Sequence, residues 1–280
     1  MVPPVSARSL LFVPGDQPDK LARARARGAD AVIVDLEDAV APRRRDEALR
    51  LAADWLAAED AGEGSEIWVR VSGAAEGPAQ LDRLDRGPLA GVVVPKITAA
   101  GDLASIAERG IPVIAFIETA AAVLSAAAIA AIPGVSRLVI GEADLGAELG
   151  IAPSGADELF APVRSHVVVA SAAAGIAAPV GPVDPDFRDL GRFRETTTTL
   201  RDMGFGGRCC IHPAQVEAVN DVFTPSPDEV QWAAALVARF EGAAASGAGV
   251  IVGDDGTMVD EAYVRTARRL LERARRGGMA

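Results

Sequence analysis

The chain has 280 residues, half of them hydrophobic, with a formal net charge of −11 and only two lysines, Lys20 and Lys96. Arginines dispersed among a larger number of acids exclude a general nucleic-acid surface, and the apolar fraction is enough for a large buried core. The two cysteines, Cys209 and Cys210, are sequence neighbours; they cannot build a disulfide framework, lack metal-ligand spacing, and are read as buried strand residues.

Met1–Arg8 holds two prolines and precedes only a brief apolar run, so it does not read as a signal peptide and a cytoplasmic protein is expected. Leu10–Pro14 reads as a strand closed by Pro14-Gly15, followed by a helix over Pro18–Arg27 with proline at the start, where its missing N–H costs least. Ala31–Asp35 and Arg44–Ala58 repeat that unit, with Leu49, Ala52, Ala53 and Leu56 on one helical face. Ile67–Val71 and Ala79–Asp85 make a third, Gly91–Pro95 with Ala99–Ala107 a fourth, and Pro112–Ile117 with Ala120–Ala131 a fifth. Ile111–Ile132 is long enough to imitate a membrane span, but it carries Glu118 and is largely alanine, so a buried strand and helix are predicted and no membrane partner. The sixth unit is Arg137–Ile140 with a helix around Ala156–Ala174, and the seventh is Ile176–Val180 with Phe187–Met203. An eighth strand over Arg208–Ile211 ends at His212-Pro213 and leads into helical Ala214–Asn220.

Eight βα units whose strands are continuous apolar runs predict an α/β fold, a single (β/α)8 TIM barrel over residues 1–224. A doubly wound open sheet competes, without support from any Gly-x-Gly-x-x-Gly turn after the first strand. Residues 225–280 form a C-terminal helical extension: a helix over Pro225–Ala244, the glycine-rich GAGVIVGDDGTMVD, and a last helix over Glu261–Arg276. It is expected to cover the barrel mouth or to reach a neighbouring subunit.

In such a barrel the site is built after the strands, so polar residues at strand ends carry the functional reading. Glu118 and Asp144 end strands five and six; two hard oxygen ligands with open positions suit Mg2+, and the competing reading is that each caps the helix that follows. The Gly141–Asp144 turn entering a helix points backbone N–H groups at the pocket and favours an anion, such as a substrate carboxylate. Arg70 ends strand three and needs either an acid, Glu37 or Asp38, or a substrate carboxylate. Glu37 and Asp38 are placed behind it, orienting Arg70 and metal-bound waters, and Asp35 is given a structural role. Lys96 raises Schiff-base chemistry, but neighbouring carboxylates keep an ammonium protonated, so an electrostatic or structural role is preferred. His212 is expected to hold a loop by hydrogen bonding, and His166 has no functional reading.

The segments RSLLFVPGDQPDKLARARARGADAVIVDLEDAV (Arg8–Val40), VRV (Val69–Val71), VVVPKI (Val92–Ile97), IETAAAV (Ile117–Val123), GEADLGAELG (Gly141–Gly150) and GFGGRCCIHPAQV (Gly204–Val216) together resemble the citrate lyase β-subunit family, which includes malyl-CoA and citramalyl-CoA lyases. The resemblance runs almost end to end in the same order. It implies a (β/α)8 barrel forming homotrimers or hexamers, Mg2+ on Glu118 and Asp144, and Arg70 with the backbone amides of Ala143 and Asp144 on the carboxylate of a 2-oxo acid; Lys96, from its position after strand four, is counted with the residues around that substrate. It further implies an acyl-CoA substrate whose CoA moiety runs near Pro14–Lys20, and a catalytic aspartate, matched by Asp260 in GTMVDEAYV, reaching a neighbouring subunit's site. Two departures bear on substrate choice: Glu148 where the family commonly has aspartate, and Cys209-Cys210 where an aromatic often precedes Ile-His-Pro. The expected activity is Mg2+-dependent carbon–carbon bond cleavage, or formation, between an acyl-CoA and a small 2-oxo acid. A malyl-CoA thioesterase, a CoA-independent aldolase and a subunit of a citrate lyase complex are the alternatives.

Overall fold

Eight strands, β1 (Ser9–Pro14), β2 (Ala31–Asp35), β3 (Glu66–Arg70), β4 (Leu89–Val94), β5 (Val113–Ile117), β6 (Val135–Ile140), β7 (Val180–Gly181) and β8 (Gly207–Cys210), pair in parallel in chain order. The ring closes where β8 meets β1, with Arg208 opposite Ser9 and Cys210 opposite Leu11, so the open-sheet alternative falls away. This computed structural model describes residues 7–60, 64–84, 87–151, 156–253 and 256–276. Residues 1–6 of the N-terminal stretch read for a signal peptide, and Asp85 at the predicted end of the third helix, lie outside the described residues.

Alternation along the strands builds two apolar layers. Leu10, Ile33, Trp68, Val93, Ile114 and Val139 fill the barrel interior, and the intervening Val92, Val94, Ala115, Ile117 and Leu138 meet the helices outside. Those helices are α1 (Pro18–Leu21), α2 (Arg45–Ala58), α3 (Gly77–Leu84), α4 (Ala104–Ala107), α5 (Ala120–Ala130), α6 (Glu142–Leu149), α7 (Ala156–Ala174), α8 (Leu190–Asp202) and α9 (Ala214–Phe223). Ala122, Ala126 and Ile129 of α5 are fully buried, so the alanine-rich stretch is a helix packed tightly on its own strand. Among the described residues no helix is long and apolar enough to cross a membrane.

Several elements depart from the prediction for local reasons. The seventh strand shrinks to two residues, because Pro179 has no N–H to give the ladder and only isolated bonds continue it, such as Ala177 N to Ser136 O at 3.1 Å. The predicted fourth helix opens as a 3-10 turn, Ala100–Leu103, before α4. The seventh starts at Leu190 because Asp189 accepts from Arg192 N at 3.0 Å and fixes the start there.

The chain divides into two compact units, Met1–Asp221 and Val222–Ala280. In the second, α10 (Pro227–Ala245) begins at a reciprocal Ser226–Glu229 cap and packs through Leu236 and Phe240 on Val264 and Ala267 of α11 (Glu261–Arg276). The glycine-rich stretch, apart from Asp254 and Asp255 outside the described residues, pairs as the antiparallel strands β9 (Ile251–Val252) and β10 (Met258–Val259).

Candidate active site

Register places Asp35 beside Pro14 on one side and Arg70 on the other, all three at the carboxyl ends of their strands. Asp35, Arg70 and Glu118 fall on the same alternation as Ile33, Trp68 and Phe116, so their side chains turn to the barrel axis. Arg70 is buried, and its Nε and Nη2 donate to the two oxygens of Asp35 at 2.7 and 2.5 Å, a bidentate pair. Nη1 lies 3.2 Å from Glu37 Oε2 and 3.3 Å from Asp38 Oδ2. The rings of Phe12 and Phe116 stand 4.9 and 5.9 Å from the guanidinium carbon. Burial works against the Arg70 charge, and the hydrogen bonds and charge of Asp35, Glu37 and Asp38 outweigh it, raising its pKa.

The principal partner of Arg70 is therefore Asp35, with Glu37 and Asp38 sharing the remaining arm. Asp35 also accepts from the N–H groups of Glu37 and Ala39 at 2.9 and 3.0 Å, wrapping the Leu36–Ala39 turn around its carboxylate. Burial raises the pKa of Glu37, as does the carboxylate of Asp38 beside it, while Lys96 and Arg70 oppose the rise. Lys96 Nζ donates to Glu37 Oε1, and to Asp38 Oδ1 at 3.2 Å. The hydrogen bond to Glu37 is the main cause of the raised Lys96 pKa, and a held ammonium is the opposite of what Schiff-base chemistry needs.

Glu118 is 2 % exposed and accepts from the Lys96 backbone N–H at 2.5 Å. Burial pushes its pKa up to about 7, the Lys96 N–H pulls it down, and the charge of Asp144 adds to the rise. The capping role belongs to the next residue: Thr119 Oγ1 accepts from Ala122 N at 3.0 Å at the start of α5. Gly141 lets β6 come this close, since a Cβ there would sit 2.5 Å from Glu118 Cβ and 2.7 Å from its Oε2.

Asp144 lies in the first turn of α6 and has no cationic partner among the described residues, whereas its neighbour Glu142 is held by Arg164 at 2.6 and 2.8 Å. No side chain caps α6 at Gly141, so the N–H groups of Glu142, Ala143 and Asp144 remain without intrahelical acceptors and favour an anion. Glu148, at the far end of α6, accepts from Ala120 N at 3.0 Å and ties this helix to α5.

Among the described residues no cluster of three or more His, Cys, Asp or Glu is arranged to hold a metal by itself. The Glu118–Asp144 pair still fits Mg2+: two hard oxygen donors, repelling each other, one of them buried with a raised proton affinity, are a donor set that a cation keeping most of its waters would relieve.

The remaining predicted residues are placed as follows. Pro14 closes β1 and accepts from Gln17 N at 3.2 Å, while Lys20 is exposed on α1. His212 Nδ1 accepts from Ala214 N at 3.2 Å and its ring stacks on Phe187 at 4.6 Å, the loop-holding role expected of it. Cys209 and Cys210 are buried in β8, with burial pushing their thiols up. In the C-terminal unit, Asp260 Oδ1 accepts from Tyr263 N at 3.0 Å and starts α11, leaving its other oxygen uncommitted to that cap. Phe12 and Phe116 have no place in the sequence reading, and Gly141 entered it only through the turn it opens, not as the close-approach position beside Glu118; strand parity is the signal that would have found the two rings.

A (3S)-malyl-CoA thioesterase from Cereibacter sphaeroides is 38% identical to this chain, covering 95% of it and 94% of that protein. A citrate lyase subunit beta-like protein from Deinococcus radiodurans is 35% identical, covering 96% of this chain and 98% of its own length. The crystal structure of CitE from Mycobacterium tuberculosis, in complex with magnesium, acetoacetate and coenzyme A, superposes with a TM-score of 0.80 at 30% identity, over 96% of this chain and 98% of that one. Residues 8–213 match the HpcH/HpaI aldolase/citrate lyase family, to which the chain belongs.

Proposed function

We propose that the protein is a Mg2+-dependent carbon–carbon lyase. Its substrate is a carboxylated 3-hydroxyacyl-CoA such as malyl-CoA, citramalyl-CoA or citryl-CoA, split into acetyl- or propionyl-CoA and a small 2-oxo acid, or formed from them. The observation that carries this is Glu118, buried near Asp144, which has no cationic partner among the described residues, on the rim that also presents a clamped Arg70. Similarity to a CitE solved with magnesium, acetoacetate and coenzyme A supports the same reading.

In this reading Glu118 and Asp144 hold the cation, which when bound supplies Lewis acidity to the substrate carboxylate and hydroxyl and makes the hydroxyl easier to deprotonate. Arg70, fixed in orientation by Asp35, binds the carboxylate of the oxo-acid half, which displaces the exposed Asp38 from Nη1. The amides of Ala143 and Asp144 face the same carboxylate from the open end of α6. Phe12 and Phe116 keep water from the guanidinium, and the Pro14–Lys20 loop receives the CoA moiety.

Cleavage passes the hydroxyl proton to the ionised Asp260 carboxylate and breaks the bond between the carbinol carbon and the thioester α-carbon. The electron pair passes to the thioester as an enolate. Asp260 returns a proton to the α-carbon, and in synthesis removes it. Positioning by Arg70 and its acids supplies most of what the chain itself contributes.

A second reading, malyl-CoA thioesterase, is favoured by the names of the relatives 38% identical to this chain. It uses the same pocket but delivers water to the thioester carbon. Incubation with (3S)-malyl-CoA and MgCl2, followed by chromatography, separates the two. Acetyl-CoA with glyoxylate supports the lyase, whereas free CoA with malate and no glyoxylate selects the thioesterase. Turnover undiminished after complete chelation by EDTA rules out both metal-dependent readings.

A further inference from the structure

Lys96 is the one residue other than glycine with a positive φ among the described residues, at 53°. Side chains seldom adopt this left-handed backbone, which glycine and asparagine take at lower cost. A lysine held there calls for an account of what both its backbone and its side chain do. Strand β4 stops at Val94, and Pro95 then has no N–H with which to continue the ladder. The turn at Lys96 aims its N–H at Glu118 Oε1, 2.5 Å away. Ile97 completes the clasp, its carbonyl accepting from Thr119 Oγ1 at 2.9 Å, the same hydroxyl that caps α5. Backbone conformation at Lys96 and orientation of Glu118 therefore fix one another.

The side chain runs to a different set of acids. Nζ donates to Glu37 and Asp38, the two carboxylates that share Nη1 of Arg70. Asp35, Glu37 and Asp38 are thus balanced by Arg70 and Lys96, and loss of the ammonium leaves three carboxylates around one guanidinium. Such an excess grips Arg70 and repels an incoming anion.

We propose that Lys96 is a positioning residue with two separable arms: its main-chain N–H orients Glu118 toward the cation, and its ammonium offsets Glu37 and Asp38 so that Arg70 can accept a substrate carboxylate. This rests on the functional reading above. Calorimetric titration tests it with two probes, MgCl2 on the metal-free protein and oxalate, a compact stand-in for a 2-oxo acid, on the Mg2+-loaded protein. Lys96→Met keeps the unbranched length without the charge, while Lys96→Asn and Lys96→Gly accept the left-handed backbone and guard against misfolding of the methionine variant. All three keep the N–H, so their Mg2+ Kd should stay within about threefold of wild type while oxalate binding weakens by about tenfold or more, and Lys96→Arg should recover most of it. Oxalate binding equal to wild type in all three variants overturns the ammonium's role. Mg2+ binding weakened as much as oxalate binding in the asparagine and glycine variants overturns the separation of the arms. Wild-type protein that takes up no Mg2+ overturns the functional reading itself, a result distinct from wild-type binding with unresponsive variants.

Discussion

Arg70, Asp35 and Glu37 are buried together, so each depends on the others for its charge. Replacing Arg70 by alanine leaves the buried Asp35 without its cation and Glu37 with Lys96 alone, and the expected loss of stability is about 3 kcal/mol, read from denaturant unfolding. A loss below about 1 kcal/mol would mean that water reaches these acids freely. Glu118 gives a pH prediction of opposite character. Its folded pKa of about 7 lies above its ordinary value of 4.5, so the metal-free folded state holds a proton that the unfolded chain releases in that window. Stability of the metal-free protein therefore falls as pH rises from about 4.5 toward 7, and a cation that binds the ionised carboxylate stabilises more above 7 than below it. Thermal melts with and without MgCl2 should show a larger shift at pH 8 than at pH 6, and equal shifts would contradict the assignment of Glu118. The strand-end positions of Arg70, Lys96 and Glu118 are legible in sequence because each follows an apolar run, and Asp144 because it falls in the turn that leaves the next one. The pairing of Arg70 with Asp35 is not, because it depends on which residues the register of two neighbouring strands sets side by side.

At the scale of elements, the approach of β6 and α6 to Glu118 requires a residue without a side chain at Gly141. Gly141→Ala puts a methyl group 2.5 Å from Glu118 Cβ and 2.7 Å from its Oε2, so the β5 and β6 ends must part as well as the carboxylate turn, and it should weaken Mg2+ binding by about tenfold or more and cost stability too. Calorimetric titration of MgCl2 checks it, and an unchanged Kd would place the cation elsewhere. The strand–helix alternation was readable from hydrophobic runs and glycine or proline breaks through most of the chain. It failed at the first helix, predicted over Pro18–Arg27 but ending at Leu21 before a 3-10 turn over Arg25–Arg27, at β7, where Pro179 removes a ladder donor from an otherwise strand-like stretch, and at the fourth helix, whose first turn is 3-10. None of these displaces Arg70, Lys96, Glu118 or Asp144, which lie at the ends of β3 to β6 or in the turn after them.

For the whole molecule, the barrel brings strand ends that are far apart in sequence onto one rim, and the second compact unit carries Asp260 at the start of α11. If Asp260 serves the site of a neighbouring copy, Glu118→Ala and Asp260→Asn proteins are each inactive alone but complement one another when co-assembled. Random assortment around a closed ring regenerates roughly a quarter of the sites. No recovered activity in a verified mixed oligomer would assign Asp260 to its own chain's site or to none. The extension's helices were legible from their periodicity and the Ser226 cap, whereas the short β9–β10 pairing was hidden in a glycine-rich stretch with only two residues in each strand. The most direct test of the account is a high-resolution crystal structure after soaking in MgCl2. Octahedral density liganded by Glu118 and Asp144, with waters completing the shell, is the predicted result; the two carboxylates turned apart with nothing bound between them would contradict it.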